Sequence, residues 1–190
     1  MTQTSAKTQN QYLSKQSVTW SQFKTLQSAF AEIGGVRMTY CEGILEIMTI
    51  GLLHEMITNL LGYLLAHYFM IKRIRFTSTG AYSQIIESKV EFQADLSFSF
   101  SNNPETTDLC MEVVVTSGSI KKLRKYQLRN IPEVWFWQDG KIRIYRLQDD
   151  EYGEVATSSW LPDLNITHLE QCLLMESQLE AMIAFAEKYR

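Results

Sequence analysis

Cysteine is scarce in this sequence: Cys41, Cys110 and Cys172 form an odd set with no CxxC or other metal-ligand spacing. That excludes a disulfide framework and a zinc module, and fits reduced thiols used for packing in a cytoplasmic chain. Long apolar runs are also missing, since the longest, Leu60 to Ile71, is too short for a membrane span and is interrupted by His67. No charged-then-apolar segment opens the chain, so neither secretion nor membrane insertion is expected. Positive charge is not in excess either. A net charge of −3 excludes a protein that coats nucleic acid by bulk attraction, so any such contact must be local. A glycine-rich phosphate loop and a Ser or Cys nucleophile motif are absent as well.

What is present suits a single domain. The chain has 190 residues, 45% of them hydrophobic, enough for a sizeable core. Residues 1–17 have the polar composition of a tail, and 18–190 read as one domain. Phe23, Leu26 and Phe30 are spaced for a short helix. Val36 to Tyr40 and Ile44 to Thr49 flank Cys41-Glu42-Gly43 as a hairpin, with Glu46 facing outward. Leu53, Met56, Ile57, Leu60, Leu61, Leu64 and Phe69 form the apolar stripe of a long helix from Leu52 to Met70, with His54 and Glu55 in its first turn. Beyond it, Arg75 to Thr79 and Ala81 to Ile86 read as extended. Pro132 to Trp137 is an apolar core strand; Asp139-Gly140 turns it into Lys141 to Arg146, with Ile142 and Ile144 inward and Lys141, Arg143 and Tyr145 outward. A strand near Glu154 to Ser158 and helices over Thr167 to Leu174 and Ser177 to Lys188 complete the chain.

The chemistry is concentrated between Glu91 and Tyr126. A strand from Glu91 to Phe100 alternates, placing Phe92, Ala94, Leu96, Phe98 and Phe100 on one face and Asp95 at mid-strand on the other. The next strand, Asp108 to Val115, is almost wholly apolar around Glu112. A carboxylate in such a run needs a metal, a cation or a shared proton. Two acids on adjacent strands, roughly 5 Å apart if directly opposite, repel unless a cation lies between them. Thr116-Ser117-Gly118-Ser119 then offers a helix cap, and Lys121, Lys122, Arg124, Lys125 and Arg129 load the following helix with positive charge.

An Asp on one strand, a Glu in the middle of the next and a nearby Lys resemble the PD-(D/E)XK nuclease superfamily. The finer likeness is to its Uma-two type of restriction-endonuclease-like proteins. It is carried by Glu42 to Met48, His54-Glu55, Ala94-Asp95, Asp108 to Val113, Thr116 to Gly118, Lys122 to Tyr126 and Ile131 to Trp137, over about residues 35–172. Two positions depart from the superfamily pattern: Ala94 replaces the proline before the first acid, and Val114 stands where the strand lysine belongs.

The resemblance implies an α/β (α+β) fold: a mixed central sheet flanked by helices, with an N-terminal hairpin and C-terminal helices. It also implies a Mg²⁺- or Mn²⁺-dependent endonuclease acting on nucleic acid, DNA above all, and a homodimer. Asp95, Glu112 and the Val113 carbonyl would bind the metal, and Lys122 would take the role of the missing strand lysine. Glu46, His54 and Tyr126 are secondary candidates, and Lys121, Lys125 and Arg129 would meet nucleic acid. The alternative is a catalytically inactive nuclease fold that serves as a binding or interaction module.

Overall fold

A computed structural model describes residues 11–103, 105–114 and 123–190. Lys121, Lys122, the expected cap Thr116 to Ser119 and residues 1–10 lie outside the described residues. In chain order the described elements are β1 (Tyr12–Lys15), α1 (Trp20–Ala29), β2 (Val36–Cys41), β3 (Ile44–Thr49), α2 (Leu52–Lys72), β4 (Thr77–Ser78), β5 (Gln84–Ile86), β6 (Val90–Phe92), β7 (Leu96–Ser99), β8 (Leu109–Val114), α3 (Leu123–Leu128), β9 (Glu133–Gln138), β10 (Lys141–Gln148), β11 (Glu151–Val155), α4 (Ile166–Leu173) and α5 (Gln178–Tyr189). No helix among them is long and apolar enough to cross a membrane.

Two sheets form. One has the order β1-β3-β2-β6-β5, the other β11-β10-β9-β8-β7-β4. The second is mixed, because β8 and β9 run parallel while the other described pairs are antiparallel. The polar stretch read as a tail contributes β1, which pairs with β3 through Leu13 and Ile47. Thr19 caps α1 through a capping box with Gln22, and Phe23, Tyr40 and Leu45 form a small core beneath it.

The mixed sheet is covered on both faces, which is why β8 is buried at every position. Alternation along β8 sorts its side chains. Met111 and Val113 join Leu61, Leu64, Trp135, Trp137 and Phe185 in the large core under α2, α4 and α5. Cys110 and Val114 join Phe92, Leu123, Tyr126 and Phe136 in a second core under α3. Glu112 shares the parity of Cys110 and Val114 and so points to the α3 side.

Several expectations are corrected. Tyr145 is buried, not outward, because its ring packs edge-on against Phe136 while Ile144 fills the opposite face. Leu53 and Met56, read as core, are exposed, because the inward side of the first turns of α2 is taken by His54 and Thr58. The last strand lies at Glu151–Val155, since residues Asp149 and Asp150 adopt positive φ and close the hairpin earlier. Of the α5 stripe, Ala186 faces inward with Ala181 and Phe185, whereas Leu179, Met182 and Ile183 are exposed.

The correction with most consequence concerns the Asp95 strand. The alternation from Glu91 to Phe100 is real in the sequence, yet the strand breaks: β6 belongs to the first sheet, β7 to the second, and residues 93–95 form the crossing. Asp95 therefore sits at the junction of the two sheets. There its own N–H donates to the Met111 carbonyl at 3.1 Å, which ties the crossing to β8.

Candidate active site

Asp95 is the hub. Its Oδ2 accepts the Val113 N–H at 2.7 Å, so the carboxylate is held against the peptide that follows Glu112. Three layers converge on it: β8 through Val113, α2 through His54, whose Nε2 lies 3.0 Å from Oδ2, and β2 through Arg37, whose Nη1 meets Oδ1. Burial alone would raise the Asp95 pKa, but the contact with His54 and the charge of Arg37 outweigh it and hold the carboxyl below the usual range.

The approach of His54 is an ion-pair distance with the ring N–H turned off the line, since neither ring nitrogen makes an aligned hydrogen bond. Burial pushes the His54 pKa down, and the Asp95 contact and charge push it up and prevail. Its other nitrogen, Nδ1, lies 3.4 Å from Glu55. The sign of the pH effect follows. A histidine whose folded pKa lies above 6.5 adds stability that is full below that value and is lost as the pH rises through the folded pKa. In metal-free protein, wild type is expected to lose more melting temperature between pH 5.5 and pH 8.5 than His54→Gln; equal losses would show that His54 is not charged in the fold.

Glu112 faces a different set. Its Oε1 accepts from Lys125 Nζ at 2.7 Å and from the Tyr126 hydroxyl, both on α3. Tyr126 stays a neutral donor, because burial and then the Glu112 charge drive its pKa far up. The Lys125 ammonium also lies over the rings of Phe92 and Tyr126, at 5.1 and 4.9 Å. Among the described residues Glu112 Oε2 takes no hydrogen bond. Arg37 links the two halves: burial lowers its pKa, but the charges of Asp95 and Glu112 together raise it.

Another buried acid, on β9, is held differently. Glu133, wholly buried, accepts from Trp135 Nε1, the Ser158 hydroxyl and the Ser159 N–H at 2.6–2.8 Å. Neutral donors satisfy it, with Arg146 only at 3.8 Å. Asp95 and Glu112 each meet a cation at close range, as the buried Glu91 and Glu170 do with Lys24 and Lys141 at 2.9 Å.

The structure thus brings together Asp95, Glu112, Val113, His54 and Tyr126 and adds Arg37 and Lys125. Glu46 is not in contact with either acid; it accepts from the Tyr12 hydroxyl at 2.5 Å on the first sheet. Lys125, read as a nucleic-acid contact, is 5% exposed and is spent on Glu112. Arg129 donates to Gln84 and to the Ile85 carbonyl, and Arg124 forks onto Glu42 with both bonds at 2.8 Å. The described cations of this segment, Arg124 and Lys125 on α3 and Arg129 just after it, therefore face protein partners, so they are not a free basic surface. Arg37 had no signal in the sequence, since a charged residue in an alternating hairpin strand reads as solvent-facing. Lys125 had a weak one: it precedes Leu128 by three residues, and that spacing puts it on a packed face.

The mixed sheet thus carries a buried Asp at its entry and a buried Glu on the neighbouring strand, and comparisons with known proteins place this arrangement in a restriction-endonuclease-like fold. Residues 20–181 match the model of the Uma2 family, described as "Putative restriction endonuclease", and the chain belongs to that family. A solved structure from Anabaena variabilis, described as a putative nuclease belonging to DUF820, is similar over 88% of this chain and 99% of that one, with a TM-score of 0.53 and 16% identity. At that identity the likeness speaks for the fold. No curated protein matches the chain.

Proposed function

We propose that the protein is a metal-dependent endonuclease that hydrolyses phosphodiester bonds in nucleic acid, with DNA as the first substrate to test. The observation that supports this most is the placement of two buried acids side by side, Asp95 at the sheet junction and Glu112 on β8, the strand that Asp95 is bonded to. The donor set suits Mg²⁺ or Mn²⁺: both acids offer hard oxygens, and Glu112 Oε2 is uncommitted among the described residues. Asp95, Glu112 and the Val113 carbonyl would hold the ion. When bound, it would supply Lewis acidity toward the phosphate and a lowered pKa for the attacking water.

The chain's own residues have separable tasks. The Val113 N–H and His54 fix the Asp95 carboxylate. The Tyr126 hydroxyl orients Glu112. Lys125 stands where a cation is needed beside Glu112, and we assign to its ammonium the role of the lysine that Val114 replaces; it would stabilise negative charge growing on the phosphate.

One observation favours the second reading, a catalytically silent nuclease fold. Arg37 and Lys125 already balance the two carboxylates without a divalent ion. The test is calorimetric titration of Mn²⁺ into metal-free protein, then nicking of supercoiled plasmid with Mn²⁺ or Mg²⁺ and with chelator. Metal binding plus metal-dependent nicking is the expected result. Binding without nicking of DNA or RNA would favour the silent fold, and no binding would reject the proposal.

A further inference from the structure

We propose that Arg37 is a resident cation for Asp95: it occupies Oδ1 in the metal-free protein and must yield that oxygen when a divalent ion enters. The inference rests on the metal-dependent reading above. It starts from how the two oxygens of Asp95 are divided. Oδ2 is committed to the fold through the Val113 N–H and His54. Oδ1 is met by the Arg37 guanidinium, which comes from the other sheet. The oxygen best placed to change partners is thus the one that Arg37 holds.

Arg37 is built to be released as well as to bind. Its Nε is buried without a hydrogen-bond partner, so the guanidinium is not locked by a full set of bonds. The residue borders a cavity of about 180 Å³ whose wall includes Ser83, Glu91 and Gln93. Glu91, now held by Lys24 at 2.9 Å and Gln27 at 2.6 Å, offers a second carboxylate on that wall. A guanidinium leaving Oδ1 would find space and polar partners there, without a bare charge being buried. A divalent ion and an arginine on one carboxylate repel each other, so the two occupancies compete.

The competition has a direct readout. Mn²⁺ is titrated by calorimetry into metal-free wild type and Arg37→Gln, with circular dichroism to confirm that both are folded. Removing the resident cation should tighten Mn²⁺ binding by about tenfold or more. If Arg37→Gln does not fold, the Arg37 Nε–H signal of wild type, followed by NMR during a Mg²⁺ titration, decides. It should change as the guanidinium leaves Asp95, and an unchanged signal at saturating metal would overturn the idea. Equal or weaker affinity in a folded Arg37→Gln protein overturns the inference and leaves the nuclease reading standing. Absence of binding in both proteins overturns both.

Discussion

An Asp95→Asn protein is expected to lose divalent-metal binding and to nick plasmid about 10³-fold or more slowly than wild type. The substitution preserves volume, so the junction of the sheets need not collapse. The asparagine carbonyl can still accept the Val113 N–H that Oδ2 accepts now. What it cannot do is present an anion to Arg37 and His54, which would face an amide N–H₂ or a neutral oxygen instead. Two consequences follow from that single exchange. The site loses one of its two negative charges, leaving Arg37 and Lys125 in excess and the pocket hostile to a divalent cation. The fold loses a charge-assisted contact, with a cost of about 1–3 kcal/mol in urea unfolding. Full metal affinity in a folded Asp95→Asn protein would make Asp95 a structural hub and would move the metal site elsewhere.

The parts of this molecule that were legible in its sequence are those where one local pattern decides the outcome. Apolar periodicity located α2 within two residues at its end, and the uninterrupted apolar run around Glu112 announced a strand covered on both faces. The pairing of Asp95 with the Glu112 segment also followed from strand order: extending the β7–β8 register, which sets Leu96 opposite Met111, brings Asp95 beside Glu112. Contacts across layers were not legible. Nothing local marks residues 93–95 as a crossing between sheets, because the alternation continues straight through it. That alternation survives because the chain is buried on either side: Phe92 in one core, Phe98 in another. Arg37 was missed for the same reason, since its partner lies 58 positions away on another sheet.

The helix after β8 shows a further limit. Its run of cations read as a surface for nucleic acid, but side-chain direction on a short helix depends on how the helix is set against the sheet. Tyr126 is wholly buried and Leu123 nearly so, and with both facing the second core, Lys125 is carried inward to Glu112. Arg124, beside it, points to solvent and finds Glu42. The same composition thus divides between a buried ion pair and an exposed one, with different energetic weight. The exposed pair is screened by solvent and contributes little, whereas the buried one cannot lose a member cheaply.

Lys125→Met should accordingly destabilise the domain by about 3–5 kcal/mol, the usual result of stranding one member of a buried pair. Methionine keeps the unbranched stem that lies along Phe92 and Tyr126, so little packing is lost and the effect isolates the ammonium. Glu112 would then retain the Tyr126 hydroxyl as its donor on Oε1, too little for a carboxylate that is 5% exposed. Adding Glu112→Gln should restore much of the loss, because a neutral amide needs no counter-charge, and the double-mutant cycle in urea then measures the coupling of the pair. Cleavage should not return with stability, since the double variant has lost both the acid and the cation. If Lys125→Met stays within about 0.5 kcal/mol of wild type, the ammonium is not a partner of Glu112 in solution. The role of the absent strand lysine then passes back to Lys122, and a nicking assay of Lys122→Ala against Lys125→Met separates the two lysines.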